Sequence, residues 1–376
     1  MVIMSGWMEK RQQFTIVLSS IKLFSGVEKM ENKENSVKIK WIVSLRALAC
    51  VAVVLLHVVA CWQGVDPSGS IGRPRLILDQ VIIWILVRWA VPCFLMISGY
   101  LLLDPNRDFT IRKIYDHIRV MAIALLTFGL AYCLIESILT MGISDIPKVL
   151  ITSMGNLIEA SGWDHMWYIY MMIGLYITVP LIRRFVASAS WEEVKFLLIT
   201  FWILTIVIPT VNLFFEIKIT TLIINFSPFI FYFLAGYYLP RMEFRKTTVA
   251  LCIMVGIIGF MLMMLSKLYG WQVSVNPDNL FVSVYSTALF YTASKSEVLE
   301  KMEGSKLIRS ISSLSFFIYI LHPFYLNLVM KGLHVYPDVM PIIIGEVVFW
   351  IFAFAASYIS AFVLQKMGML RLYGIK

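Results

Sequence analysis

Long apolar stretches separated by short charged loops are the feature that most constrains how this chain can fold. From Lys38 onward, ten segments are long enough, or nearly so, to cross a bilayer of about 30 Å. They are roughly 39–62, 77–103, 118–140, 165–182, 196–215, 222–240, 248–267, 279–293, 310–331 and 340–365. We therefore predict an all-α fold, a polytopic membrane bundle of about ten transmembrane helices.

Composition excludes the other broad classes of protein. Hydrophobic residues make up 60% of the chain and charged residues 15%, whereas soluble domains have about 45–50% and about 25%. A soluble enzyme, a disordered protein and a fibrous protein are therefore excluded. A membrane enzyme, a transporter and a structural membrane subunit remain open.

The basic residues of the loops alternate between the two sides that the ten segments define. If the first span starts in the cytoplasm, the cytoplasmic segments hold 21 Lys and Arg and the outer loops hold six. Cytoplasmic loops of membrane proteins carry such an excess. The pattern predicts that both termini are cytoplasmic, and it accounts for the net charge of +9 without a nucleic-acid partner.

The two ends of the chain differ from the apolar body. Residues 1–37 contain a weakly apolar stretch that serines interrupt, followed by a charged stretch. This composition predicts a disordered tail, with Met30 as an alternative start. Residues 38–366 form the predicted transmembrane domain, and residues 367–376 a cytoplasmic tail. Segment 144–160 is apolar but broken by polar residues, which indicates that it lies at the membrane interface.

Ionisable residues within the spans are the candidates for function, because burying a charge in a membrane is costly. Arg46 and His57 lie in the first span, eleven residues apart. At about 100° and about 1.5 Å per residue, they leave the helix on nearly the same face, about 16 Å apart along its axis. The first span therefore carries one polar stripe.

The second and ninth spans add polar groups at matching depths. The second span runs in the opposite direction, so Arg88 is expected near the depth of His57, and Ser98 and Tyr100 near that of Arg46. Pro92 removes a backbone hydrogen bond and predicts a kink. His322 of the ninth span is expected near the His57 level. The cysteines lie inside apolar runs, and we expect no metal site.

These residues fall in five ordered motifs that cover about residues 38–366. The motifs are Arg46 and His57 separated by ten residues, Val91 to Ser98-Gly99-Tyr100, the basic Arg112, Lys113 and Arg119, His165-Met-Trp167-Tyr168, and Tyr319-Ile-Leu-His322-Pro323. In this order they resemble the membrane acyltransferase 3 family. The His-Met-Trp-Tyr stretch is especially similar to the enterobacterial common antigen O-acetyltransferase branch. The chain resembles a stand-alone member without a fused extracellular domain.

The resemblance implies an acyltransferase of the bacterial plasma membrane. An acyl group, usually acetyl from acetyl-CoA, would pass to a hydroxyl of a surface glycan or lipid-linked sugar. Acetyl-CoA (acyl-CoA) would be a co-substrate, with no cofactor bound. The partners would be acyl-CoA, the glycan acceptor and the lipid bilayer, and homo-oligomerisation stays open.

Within this frame the motif residues receive roles. His57 would be the general base that deprotonates the acceptor hydroxyl, and Arg88 would stabilise the oxyanion. The residues assigned to the donor are Arg46, Ser98, Tyr100, Arg112 and Lys113. The residues assigned to the acceptor are Trp163, Asp164, His165, Trp167 and His322. An acyl-Ser98 intermediate is the less favoured alternative to direct transfer.

Structural roles compete with each assignment. Arg46 could neutralise a glutamate or backbone carbonyls in the bundle, and His57 could be a core histidine. Ser98-Gly99 could be a packing site, and His322-Pro323 could form a kink. Trp163 and Trp167 could be interface anchors, and Glu136 and Glu346 could be solvated. A polysaccharide exporter or flippase is the alternative function. Such a transporter is expected to contain internal repeats, and residues 39–215 show no convincing similarity to residues 222–365.

Overall fold

The computed structural model describes residues 39–61, 83–215, 228–266, 269, 274, 276–335 and 340–374. These residues form helices and no strands, and eight of the helices are long and apolar enough to cross a membrane. The predicted polytopic helical bundle is therefore confirmed. The predicted N-terminal tail and the starts of the second and sixth segments lie outside the described residues. The division into tail, domain and tail stays a prediction.

The helices are numbered along the chain. They are α1 (Lys40–Cys61), α2 (Ile83–Leu102), α3 (Ile111–Met141), α4 (Ile146–Ile158), α5 (Trp167–Ser188), α6 (Trp191–Leu213), α7 (Pro228–Tyr238), α8 (Lys246–Ser266), α9 (Leu280–Ser294), α10 (Glu297–Met302), α11 (Lys306–Gly332) and α12 (Ile342–Lys366), followed by a 3-10 helix (Met369–Tyr373). Eight predicted spans correspond to the long helices. The sixth and eighth correspond to α7 and α9, which have 11 and 15 described residues.

Capping side chains fix where several spans begin. The Thr110 hydroxyl accepts from the Lys113 amide at the start of α3, at 3.3 Å. Ser190 and Glu193 form a capping box at the start of α6. Asn279 caps α9 by accepting from two backbone amides. Each cap satisfies amides that have no partner within the first turn, so the loops before these helices have defined ends.

Helix α1 lies at the centre of the bundle. It is the most buried of the eight spans, because 67% of its most apolar 18-residue stretch lies inside the protein. It packs against α2, α10, α11 and α12. Small side chains such as Ala47, Ala49 and Val54 are buried at these contacts and let the neighbours approach. Ser44 of α1 is therefore buried, and Arg46 and His57 line an internal cavity and do not face lipid.

Two glycines bring the backbones of α2 and α7 into direct contact. A Cβ atom on Gly99 would lie 1.8 Å from the carbonyl oxygen of Phe233, and one on Gly236 would lie 2.0 Å from that of Met96. Side-chain carbons do not approach backbone this closely, so each position requires a residue without a side chain. Gly99 of the Ser-Gly-Tyr sequence therefore has a packing role.

Helix α2 is interrupted at Arg88 and Trp89, as the proline predicts. The chain is helical over residues 83–87, forms a turn at 88–89 and is helical again from Ala90. Pro92 has no amide hydrogen to donate to the carbonyl of Arg88, which lies four residues before it. The interruption places Arg88 at the turn within α2.

Hydrogen bonds from Arg183 hold the loop that follows α2. This buried arginine of α5 donates to the carbonyls of Leu102, at 2.8 Å, of Pro105, at 3.2 Å, and of Arg107.

The loop belongs to the end of the bundle where α1 starts, which also carries residues 239–245 and 295–305. We call this end the basic end, and the end carrying residues 142–145 and 276–279 the opposite end.

Candidate active site

One cavity of about 850 Å³ extends between the two ends of the bundle. Its walls come from α1, α2, α3, α5, α7 and α11, from the loop before α9 and from the C-terminal 3-10 helix. The predicted site residues that line it are Arg46, His57, Arg88, Ser98 and Trp167. A volume of this size can hold a ligand of several hundred daltons.

Arg46 and His57 both line this cavity, as their spacing on α1 predicts. The guanidinium of Arg46 makes no hydrogen bond or ion pair with any residue that the structure describes. Its charge interacts with the phenol groups of Tyr168 and Tyr176 on α5. No carboxylate neutralises it within the described part of the chain, so that structural interpretation of Arg46 finds no support there.

Arg88 brings a second guanidinium to the cavity wall. It lies over the ring of Trp84, with its central carbon 3.7 Å from the ring centre. Its Nε atom is buried without a hydrogen-bond partner in the described chain. A buried charge costs several kcal/mol when it is not paired. Two cations held against one cavity therefore indicate an anionic ligand or developing negative charge.

His57 of α1 and His322 of α11 are in direct contact. Nε2 of His322 lies 3.0 Å from Nδ1 of His57. Nδ1 of His57 also lies 2.9 Å from the carbonyl oxygen of Val53, and Nδ1 of His322 lies 3.0 Å from that of Ile318. The two rings, predicted to share one depth, thus form a hydrogen-bonded pair.

The carbonyl partners assign the hydrogens of the two rings. A carbonyl oxygen only accepts, so Nδ1 of both His57 and His322 carries hydrogen. The Nδ1 hydrogen of His57 is then shared between the Val53 oxygen and Nε2 of His322. In a neutral His57 ring the lone pair is on Nε2, and this tautomer can accept a proton there.

His322 itself is fully buried and is absent from the described cavity wall. Its predicted acceptor-binding role stays a prediction, and its position favours contact with His57 over contact with a ligand. His165 is also buried, with its ring centre 6.3 Å from that of His57, and its backbone oxygen accepts from the Tyr319 hydroxyl. Within the described residues, the three imidazoles do not have the arrangement of a metal site.

Three of the predicted donor residues lie away from the cavity. Tyr100 is buried against Trp41, with ring centres 5.4 Å apart. Arg112 and Lys113 occupy the exposed start of α3 at the basic end, where the Lys113 ammonium donates to the Asp108 carbonyl at 2.9 Å. Any role of these three in donor binding would lie outside the cavity wall.

The predicted acceptor tryptophans have different positions. Trp163 is buried and stacks on Tyr132 at 4.1 Å, and it donates to Glu136, which pairs with Lys331. Glu346 is buried, so its interpretation as simply solvated is wrong, whereas Glu136 is partly exposed and paired. Trp163 therefore braces the opposite end.

Trp167 by contrast lines the cavity and is 36% exposed. It stacks on Phe229 of α7, with ring centres 5.3 Å apart. The Asp164 side chain lies outside what the structure describes. Trp167 is therefore the predicted acceptor aromatic that lines the cavity.

A short loop before α9 supplies cavity residues that sequence reasoning missed. Asn276, Pro277 and Asp278 line the cavity at the opposite end. The Tyr232 hydroxyl donates to the Pro277 carbonyl at 2.5 Å, and the Thr210 hydroxyl donates to the Asp278 carbonyl at 3.3 Å. The loop is thus held by α6 and α7. A polar Asn-Pro-Asp-Asn sequence between two apolar segments was the available signal.

Asp278 is the one acidic residue among the described residues that line the cavity. Burial raises the pKa of its carboxyl group, and a 3.1 Å hydrogen bond from Ser274 offsets part of that effect. Its carboxylate could accept hydrogen bonds from ligand hydroxyls.

Polar residues missed by sequence reasoning also line the part of the cavity nearer the basic end. His117, Ser312, Ser313 and Tyr373 contribute there. The Tyr373 hydroxyl lies 2.8 Å from that of Thr127 on α3. The C-terminal 3-10 helix is therefore packed into the bundle. The serine-rich start of the ninth segment was visible in the sequence.

Comparison with known proteins adds one finding to this geometry. Residues 39–366 match the family model of an acyltransferase domain, the acyltransferase 3 model. No curated protein and no solved structure matches the chain. The match covers α1 to α12, and the C-terminal 3-10 helix lies beyond it.

Proposed function

Because the chain belongs to the acyltransferase 3 family and is a membrane acyltransferase, we propose that it moves acetyl from acetyl-CoA to a glycan hydroxyl. The acceptor is a cell-surface glycan or a lipid-linked sugar. Within the family, the His165 to Tyr168 motif favours the enterobacterial common antigen O-acetyltransferases. We place the protein in the bacterial plasma membrane with both termini in the cytoplasm, as the loop charges predict.

The donor enters from the basic end. Acyl-CoA is cytoplasmic and anionic, and Arg46 offers a guanidinium that can bind a phosphate through paired hydrogen bonds. His117, Ser312 and Ser313 add polar contacts on the same stretch of wall. The pantetheine arm then extends along the cavity toward His57, over the rise of about 16 Å that separates the two residues on α1.

The chemistry takes place at His57. Its Nε2 accepts the proton of the acceptor hydroxyl while that oxygen attacks the thioester carbonyl carbon. Arg88 stabilises the negative charge on the carbonyl oxygen. The carbon–sulfur bond then breaks, and the thiolate takes the proton back from His57. The products are the acyl ester and free CoA, and the histidine returns to its neutral form.

The acceptor occupies the opposite end of the cavity. Trp167 stacked on Phe229 provides an aromatic surface for a sugar face. Asn276 and Asp278 provide an amide and a carboxylate that can bind sugar hydroxyls. The proposed acceptor site thus keeps Trp167 from the sequence prediction and adds the loop before α9.

Direct transfer is favoured over an acyl-serine intermediate. The Ser98 hydroxyl donates to the carbonyl of Phe94 on its own helix, at 3.0 Å. A nucleophilic serine requires a general base within hydrogen-bond reach, and no described residue supplies one to Ser98.

The single observation that supports this proposal is that Arg46 and His57 line one cavity with polar residues at both of its ends. The test is mass spectrometry of surface glycans from a strain lacking the gene, complemented with the wild type or with His57→Ala. We expect acetyl esters to be absent without the gene, restored by the wild type and not by the variant. Unchanged acetylation in the deletion strain would contradict the proposal. Loss of the glycan itself would favour the exporter.

A further inference from the structure

We propose that His322 is a positioning residue for His57, holding its ring and sharing the positive charge that His57 gains when it takes a proton. This inference rests on the proposed function, because it assigns His322 a part in the same transfer. It differs from acceptor binding, the role that the sequence suggested for His322.

The hydrogen bonds around the two rings determine which histidine donates to the other. His322 is held by its Nδ1 hydrogen, which donates to the Ile318 carbonyl at 3.0 Å. Its Nε2 therefore carries the lone pair when the ring is neutral, and it faces Nδ1 of His57 at 3.0 Å. The chain of donors runs from His57 to His322 to the backbone of α11. Rotation of either ring would break at least one of these bonds.

Pro323 explains why the backbone of α11 can hold the ring. A proline has no amide hydrogen, so the carbonyl of Tyr319, four residues earlier, loses its helical partner. That carbonyl and the one of Ile318 both interact with the His322 ring. The His-Pro sequence thus leaves a backbone carbonyl available to the imidazole, and the contact with this carbonyl helps to fix the orientation of the ring.

Burial limits His322 to an indirect role. The residue is 0% exposed and lies behind His57 as seen from the cavity, whereas His57 is part of the cavity wall. A ligand in the cavity meets His57 first. His322 can therefore affect the reaction through the hydrogen bond to His57.

The proton balance of the transfer gives this bond its effect. When His57 takes the hydroxyl proton on Nε2, both of its nitrogens carry hydrogen and the ring becomes cationic. The bond from Nδ1 to His322 then becomes charge-assisted, and such bonds are stronger than neutral ones. The proton leaves again from Nε2 to the CoA thiolate, so His322 gains and loses no proton over the cycle.

Two amide variants separate positioning from packing. In His322→Gln the side-chain amide reaches about as far as Nε2 of the imidazole, and its oxygen can accept from His57. In His322→Asn the amide reaches only as far as Nδ1, so the bond to Ile318 can persist while that to His57 is lost. His334→Asn is the matched control, because His334 is exposed and has a φ of 54° that Asn tolerates.

We expect His322→Asn to lower kcat on the order of 10- to 100-fold, the worth of a hydrogen bond to a charged group. The KM values for acetyl-CoA and for the acceptor should stay near those of the wild type. His322→Gln should recover most of kcat, and His334→Asn should match the wild type. Equal kcat in the Asn variant and the wild type, or a change confined to the acceptor KM, would overturn the proposal.

A second measurement does not depend on transfer. The chain has five histidines, so nitrogen NMR of histidine-labelled protein in membranes can assign each tautomer, with the variants identifying the signals. We expect hydrogen on Nδ1 of both His57 and His322, and a coupling between His57 Nδ1 and His322 Nε2. Hydrogen on Nε2 of His57 would overturn the pair even if the protein is active. A correct pair in a protein without transferase activity would instead contradict the proposed function.

Discussion

The two ends of the cavity differ in charge and in chemistry. Toward the basic end the wall carries Arg46, His117 and two serines, and no described acidic residue lines that part. At the opposite end Asp278 lies near an aromatic stack and an asparagine. A wall with cationic and hydroxyl groups suits phosphates, whereas a carboxylate beside an aromatic face suits a neutral sugar. Under the proposed function, one cavity therefore holds two dissimilar substrates in separate halves.

The assignment of donor and acceptor to the two ends depends first on which end faces the cytoplasm. Cysteine labelling tests this orientation with an all-or-none result. Single cysteines at Asn106 and Ser144, both exposed, mark the basic and opposite ends. In a background without native cysteines, an impermeant maleimide should label position 144 in intact cells and label position 106 only after lysis. The inverse labelling would exchange the proposed donor and acceptor ends.

The largest kinetic effect is expected where the two halves meet. His57→Ala removes the proposed base, and general bases contribute about 10²- to 10⁴-fold to rate. We expect transfer to fall by that factor while the amount of folded protein in the membrane stays near that of the wild type. Initial rates with purified protein and a fluorescence-detected elution profile check both. Full activity would remove His57 from the chemistry, and loss of folded protein would favour a core role.

A smaller effect, confined to the donor half, is expected at Arg46. Arg46→Ala should raise the acetyl-CoA KM, by an amount equivalent to about 1.5–3 kcal/mol for a hydrogen bond to a charged group. Arg46→Lys keeps the charge without the paired geometry, so its increase should be smaller.

The acceptor KM should not change in either Arg46 variant. Arg184→Ala, an exposed arginine at the basic end of α5, is the control. An effect of Arg46→Ala on the acceptor alone would show that the two halves are not separate.

The smallest effect is expected in the acceptor half. Because burial raises the pKa of Asp278, its carboxylate should protonate above the ordinary range near pH 3.9. The acceptor KM of the wild type should therefore rise as the pH falls toward that raised value. Asp278→Asn should have an acceptor KM about threefold to tenfold higher, as expected for one hydrogen bond of about 0.5–1.5 kcal/mol, and no such pH dependence.

Stability provides the control for Asp278. A raised pKa means that the folded state binds more protons, so Asp278 lowers stability as the pH rises from its unfolded pKa through its folded pKa. The Asn variant lacks this cost, and its Tm at pH 7 should equal or exceed that of the wild type. Asp145→Asn, at a helix cap where Asn serves equally well, should change neither quantity. A lower Tm for Asp278→Asn would point to a structural role.

Local sequence rules predicted the helices and part of the site. Apolar length identified the spans, and the helical period placed Arg46 and His57 on one wall. The break near Pro92 followed from proline chemistry. These features depend on spacing within one helix, so they are readable without knowing the neighbours.

The remaining assignments depend on which helices meet, and sequence spacing does not carry that information. Trp163 and Trp167 are four residues apart, yet one stacks on Tyr132 inside the bundle and the other faces the cavity. The hydrogen bond from His57 to His322 joins residues 265 positions apart. Asp278 reaches the cavity because Thr210 and Tyr232 hold its loop.

The backbone contact at Gly99 and Gly236 determines which parts of the bundle can move. Where these two glycines meet the facing backbone, no side chains lie between α2 and α7 that could compress or slide. The two helices should therefore move together as one rigid unit. Entry of the proposed donor, acyl-CoA, would require one wall of the cavity to move. That movement should then occur on the far side of the cavity, where the C-terminal 3-10 helix packs against α3. The glycine contacts thus make α2 and α7 the fixed wall of the cavity, and the opposite wall is the one expected to move.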